Sequence, residues 1–375
     1  MPIARSPGRR PLLVAALVLS AAAAGCGGGP AAEHRSGTRS SGPPSHTRPA
    51  VRGLSPAQQV GQALILSFEG PTVPGYVQRA LRAGRVAGVI LFADNIVSPG
   101  QLRRLTATLQ HASGHGALIM VDQEGGPVEM VPFAAPAVGQ ARQETAQEAA
   151  VQASAAGREL RSLGVNVNLA PVADVPSVDG AALAGRAFAG DAGAVAGRVR
   201  AAVRAYDAAG VGSTAKHFPG LGAARANTDQ APVTIPSLTS QDLAPFKAAV
   251  AASVPVVMAS HALYRNLDPN RIASQSEVIL RGLLRGRLGF RGVIVTDSME
   301  AVAVARRSSL PEAAVRSLEA GADLLLLTGD GSFRPVSRHL RALARRDPGL
   351  RSRLARANAR VLALKRRLRL SPPAA

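Results

Sequence analysis

The chain has 375 residues, 46% of them apolar, enough to bury a large core, and its length suits one barrel-sized domain as well as two ordinary ones. Aromatic residues make up only 3% and Trp is absent, which argues against stacking platforms for single-stranded nucleic acid. The formal charge of +20 sits mostly at the ends, with +3 in residues 1–25, +3 in residues 26–52 and +12 in residues 334–375, leaving about +2 for residues 53–333. A nearly neutral body argues against a nucleic-acid partner. Lys216, Lys247 and Lys365 are the only lysines, so the positive charge is almost all Arg. Two explanations stand: a compositional bias toward Arg and Ala, or an anionic partner such as a cell-wall polymer or lipid headgroup.

Residues 1–25 read as an export signal: Arg5, Arg9 and Arg10 precede the apolar run Pro11 to Ala24. That run is too short for a membrane span. Cys26, the only cysteine, follows Ala23-Ala24-Gly25, and no internal disulfide can form. A lone Cys directly after small residues that close a signal sequence resembles a bacterial lipobox, although Ala23 stands where Leu is usual. The resemblance implies lipidation at Cys26 and an exported protein held by lipid at the outer face of the cytoplasmic membrane or in the cell envelope; the alternative is an ordinary secretory signal. Residues 26–52, rich in Gly, Ser, Pro and Arg, read as a disordered tether.

From Leu54 onward short apolar runs alternate with helical stretches. The runs are Ala63–Ser67, Val86–Leu91, Ala117–Val121, Val165–Leu169, Ser213–Lys216, Val254–Ser260, Val293–Thr296 and Leu324–Leu327. Amphipathic or Ala-rich segments such as Gln101–Gln110, Glu144–Leu163, Ala192–Ala209 and Ser276–Leu288 lie between them. Eight such units predict an α/β fold, a (β/α)8 TIM barrel forming a single domain over residues 53–333. In residues 334–375, Val336, Leu340, Leu343, Leu350, Leu354, Val361, Leu364 and Leu368 recur at helical spacing with Arg between them. This predicts basic C-terminal helices whose apolar faces pack on the barrel while the Arg face meets solvent.

Polar residues cluster where the runs end. Asp122 follows the third, Asp174 lies just beyond the fourth, Lys216 and His217 end the fifth, His261 follows the sixth and Asp297 the seventh. In a parallel barrel those ends share one rim, where such folds carry their chemistry. Asp297 closes the run Gly289-Phe290-Arg291-Gly292-Val293-Ile294-Val295-Thr296. A carboxylate fixed there can attack an anomeric carbon, or it can merely cap the following helix. Asp122-Gln123-Glu124-Gly125-Gly126 sets two carboxylates before a glycine turn, suited to accepting bonds from sugar hydroxyls or to turning alone. Lys216-His217-Phe218-Pro219-Gly220-Leu221-Gly222 is read as a loop made flexible by its glycines.

These motifs, with Gly164 to Val175 and Gly185-Arg186-Ala187-Phe188, together resemble the N-terminal barrel of glycoside hydrolase family 3, and most closely its single-domain β-N-acetylhexosaminidases. The resemblance covers about residues 54–330, in order. It implies a retaining hydrolase with Asp297 as nucleophile, and with Asp122, Arg186, Lys216 and His217 holding the non-reducing sugar through its hydroxyls. His261 is given a supporting role. No cofactor is implied, and no metal, because His217 and His261 have no ligand-spaced partners.

The sequence departs from that pattern in the loop after Gly220. The hexosaminidase branch has an Asp-Ser-His triplet whose His is the general acid/base; here the same spacing gives Asn227-Thr228-Asp229. Leu221 replaces a usual His, and Pro127 a usual Arg. Asp229 can itself be the acid/base, with neutral Asn227 supporting it where an Asp would repel it. Glu300 or Glu124 can supply the proton instead, or the acid/base has been lost. A carboxylate at 229 would repel phosphate, so water is the expected acceptor. The expected activity is removal of terminal non-reducing β-linked sugars, N-acetyl-β-D-glucosamine first, from glycan or peptidoglycan-derived substrates, by a monomer. Glucose or xylose specificity and a non-catalytic glycan-binding lipoprotein are the alternatives.

Overall fold

The computed structural model describes residues 53–372; the export signal, Cys26, the tether and residues 373–375 lie outside the described residues. Eight parallel strands close into a barrel: β1 (Leu64–Leu66), β2 (Gly88–Ile90), β3 (Leu118–Val121), β4 (Val167–Asn168), β5 (Gly212–Phe218), β6 (Val256–Ala259), β7 (Val293–Ser298) and β8 (Leu324–Leu327). They pair in sequence order, and β8 returns to β1 with Leu64 opposite Leu325. All eight apolar runs are therefore barrel strands.

Continuous apolar runs suit strands buried on both faces. Ile65, Ile90, Met120, Val167, Met258, Val295 and Leu326 fill the barrel, while their neighbours Leu64, Val89, Ile119, Val257, Ile294 and Leu325 meet the surrounding helices. Capping boxes at Ser55, Thr145, Thr239 and Ser309 start four of those helices. The fourth strand is shorter than its apolar run. Pro171 has no N–H to give a regular ladder, and past Asn168 the pairing is reduced to single bonds such as Thr214 N–H to Ala170 O and an isolated bridge between Val172 and Lys216.

The C-terminal helices span Phe333–Arg346 and Pro348–Arg367. The first packs beside the helices Pro56–Gly61 and Leu310–Ala320. The second crosses the N-terminal end of the barrel, where Val361 and Leu364 join the interior cluster and Leu368 and Leu370 pack against it. It is a plug. Its polar face is also less free than its sequence suggests: Arg360 binds Asp323 at 2.9 Å, Arg367 binds Asp207 at 2.6 Å, and Lys365 is buried against Gln62 at 2.8 Å.

Candidate active site

The C-terminal ends of the strands surround a cavity of 410 Å³. Asp122, Arg186, Lys216, His217, Asn227, Asp229 and Asp297 line it, with Phe92, Val128, Met130 and Leu183 as apolar wall. Two strands bend where they deliver side chains to it. The β5–β6 register shifts between Ala215 and Phe218, which spans Lys216 and His217, and the β7–β8 register shifts between Val295 and Ser298, which spans Asp297. Such irregularities re-aim side chains at a barrel rim.

Lys216 is buried and lies 2.5 Å from Asp122 Oδ1 and 2.6 Å from Glu124 Oε1. Glu124 is also the fork partner of Arg186, whose Nε and Nη2 donate to its two oxygens at 2.9 and 2.7 Å. Burial works to raise the Glu124 carboxyl, but the Lys216 charge and the Arg186 bonds outweigh it and hold it at about 2. A carboxylate so firmly ionised cannot donate a proton at neutral pH, so Glu124 is removed as acid/base; it instead braces the two cations. Glu300 lines the cavity, but its Oε2 accepts from the Thr328 N–H at 2.9 Å and the Thr328 hydroxyl at 3.0 Å.

His217 is oriented by Asp174, which is fully buried. Asp174 Oδ2 lies 2.8 Å from His217 Nδ1, and the carboxylate also accepts from the backbone N–H of His217 and of Leu221. Leu221, which stands where a His is usual, thus contributes its backbone rather than its side chain. The glycines of this loop serve packing rather than flexibility. Gly220 has φ +135°, and a Cβ on Gly222 would lie 1.7 Å from Val175 O.

Asp297 accepts the Ser298 N–H at 2.8 Å. Burial works to raise its carboxyl, but the His217 charge and this N–H hold it below the ordinary carboxylate range. His261 does not line the cavity. Its Nε2 lies 2.9 Å from Ser298 O and its Nδ1 2.7 Å from Ser274 Oγ, so it pins the strand end that carries Asp297.

Asp229 stands at the open lip of the same cavity. Its loop is tied down by Val302 N–H donating to Asp229 O at 3.2 Å and Ala303 N–H donating to Thr228 O at 3.1 Å. Asn227 Oδ1 accepts from the Asp229 N–H at 3.1 Å, which fixes the turn. Although the side chain is open to solvent, the protein around the mouth desolvates it, and the nearby Asp297 charge adds to this; together they push its carboxyl up to about 6. The two carboxyls are therefore driven apart: one stays ionised, and the other keeps its proton in mildly acidic solution.

Each candidate site residue named from the sequence within residues 53–372 is at this mouth or directly behind it. Sequence reasoning missed the brace made by Glu124 and the orienting role of Asp174. Asp174 was recognisable only as one more rim carboxylate, and nothing local distinguishes Glu124 from Asp122.

A closed parallel barrel whose mouth pairs two carboxyls of opposed proton affinity with a row of cationic donors has the architecture and chemistry of a glycoside hydrolase. The chain belongs to glycosyl hydrolase family 3, whose N-terminal domain model matches residues 59–364. A beta-hexosaminidase from Xylella fastidiosa is 36% identical over 280 residues, covering 70% of this chain and 82% of that protein. A protein from Arthroderma benhamiae described as an uncharacterized secreted glycosyl hydrolase is 34% identical over 299 residues, covering 75% of this chain and 84% of that one. Among solved structures, a family 3 β-N-acetylglucosaminidase from Paenibacillus superposes with a TM-score of 0.80 at 34% identity, covering 86% of this chain and 64% of that one. A β-N-acetylhexosaminidase from Beutenbergia cavernae does so with 0.77 at 32%, covering 83% and 98%.

Proposed function

We propose that the protein is a retaining β-N-acetylhexosaminidase in which Asp297 is the nucleophile and Asp229 the general acid/base. The observation that carries this reading is the opposed protonation of these two carboxyls in one cavity. Asp297, kept ionised, attacks C1 of a terminal β-linked N-acetylglucosamine while Asp229 gives its proton to the leaving oxygen. Asp229, now a base, then takes a proton from water, which attacks C1 and releases Asp297. Asp122, Arg186, Lys216 and His217 hold the sugar hydroxyls, and the Glu124 and Asp174 contacts keep these donors and acceptors fixed before substrate arrives.

The decisive assay compares wild type, Asp297→Ala and Asp229→Ala on an aryl β-N-acetylglucosaminide. Asp297→Ala loses at least ~10³-fold in kcat, and Asp229→Ala is slowed in releasing the sugar and is rescued by azide as the β-glycosyl azide. The first sugar seen by proton NMR in the wild-type reaction is the β anomer, and phosphate does not divert it to sugar 1-phosphate. Unchanged turnover in both variants would remove the assignment. We further propose export with lipidation at Cys26, which the secreted relative supports for export alone. A Cys26→Ala chain should move from the membrane fraction to the soluble exported fraction; retention in the membrane refutes the anchor.

A further inference from the structure

A second hollow, of 360 Å³, lies on the outer side of the barrel and shares no lining residue with the active cavity. Five residues line it. Asn270 and Arg271 come from the strand Asp268–Ile272, Gln275 from the turn that follows, Arg307 from the chain after the helix Val302–Ala305, and Arg316 from the helix Leu310–Ala320. No carboxylate is among them, and none of the three guanidinium groups takes part in the ion pairs found among the described residues.

Unpaired arginines are common on this Arg-rich surface, so their presence alone means little. What sets this hollow apart is Gln275, only 3% exposed, whose side-chain Nε2 has no acceptor. A buried amide donor without an acceptor is disfavoured; Nε2 is shielded from solvent in this rotamer, and a half-turn of the amide brings it to the hollow, where an acceptor supplied from outside relieves it. The complete side-chain set offers three guanidiniums and two amides, converging from separate elements. Such a set calls for a ligand with several acceptor oxygens and more than one negative charge, which a tetrahedral phosphate satisfies better than a planar carboxylate.

We propose that this hollow binds a phosphate group. The phosphate has two available sources, free phosphate and the headgroup of an anionic phospholipid, and both present the same oxygens. Another Arg-lined hollow, with Arg79, Arg85, Arg334, Arg338 and Arg341, has no buried amide without a partner and serves as the internal control.

The test titrates inorganic phosphate into wild type, the R307Q/R316Q double variant and the R338Q/R341Q double variant at constant ionic strength, read by calorimetry and by phosphorus-31 line width. Arg307, Arg316 and Arg338 are exposed, Arg341 is half-buried, and none of the four makes an ion pair among the described residues, so all three proteins should fold, which matching circular dichroism spectra check. Saturable binding to wild type and to R338Q/R341Q, weakened at least ~10-fold in R307Q/R316Q, is the expected result. Non-saturable binding, or equal weakening in both double variants, overturns the proposal. Co-sedimentation with phosphatidylglycerol vesicles, but not phosphatidylcholine vesicles, that is lost in R307Q/R316Q identifies the headgroup as the source. Its absence alongside intact phosphate binding identifies free phosphate.

Discussion

Two lysines, one at each end of the barrel, are equally buried and carry opposite electrostatic histories. Lys216 at the mouth is opposed by burial, yet Asp122 and then Glu124 outweigh this and raise its proton affinity. Lys365 at the floor has only the Gln62 amide oxygen as partner, and burial pushes it down to about 7. Partners rather than depth decide whether a buried amine stays charged. The mouth maintains charge because Asp122 and Glu124 pair with it, whereas the floor accommodates an amine whose four-carbon stem fills space.

The largest effect should come from breaking the charged end. Lys216→Met leaves Asp122 without its cation and Glu124 with Arg186 alone; activity should fall by ~10²-fold or more, and chemical denaturation should show a loss of several kcal/mol, roughly 3–5. Wild-type activity and a stable fold in this variant would mean that the brace is dispensable.

A smaller effect follows from pH at the same end. Asp229 must hold its proton to act as acid, and its affinity is raised to about 6, so kcat/KM should fall about tenfold per pH unit above that value. Asp297, held below the ordinary range, keeps its charge through pH 5, so no acid limb should appear above that pH. A flat profile from pH 5 to 8 would contradict the acid assignment.

The smallest effect on activity belongs to the floor. The native Lys365 sheds its proton near pH 7 whereas the unfolded chain keeps it to about 10.5, so between these values the unfolded state binds more protons and stability rises with pH. Lys365→Met should leave kcat unchanged and remove that rise, worth a few kcal/mol, about 5 at most over the full range. Denaturation midpoints of wild type and variant at pH 7 and 9.5 measure the difference, and parallel slopes would show that Lys365 remains charged.

The fold was legible because buried parallel strands announce themselves as apolar runs and because rim residues recur at their ends. Asp297, Lys216 and His217 could be placed for that reason. The shortened β4 escaped notice because the consequence of Pro171 depends on pairing with β5. The C-terminal plug escaped notice for another reason: helical spacing in Val361, Leu364 and Leu368 reports an apolar face but not what it covers. The role of Glu124 was hidden because Arg186 is 62 residues away in sequence, and only the closed barrel brings their fork together.

The short helix Pro56–Gly61 lies at the floor, where Gln62 receives Lys365 and donates to the carbonyls of Gly84 and Val86 just before β2. The described chain thus enters at the end opposite the cavity. Gly53, the first described residue, therefore lies on the side of the floor, and none of the residues that line the mouth comes from the stretch Gly53–Gln62 that leads into the barrel.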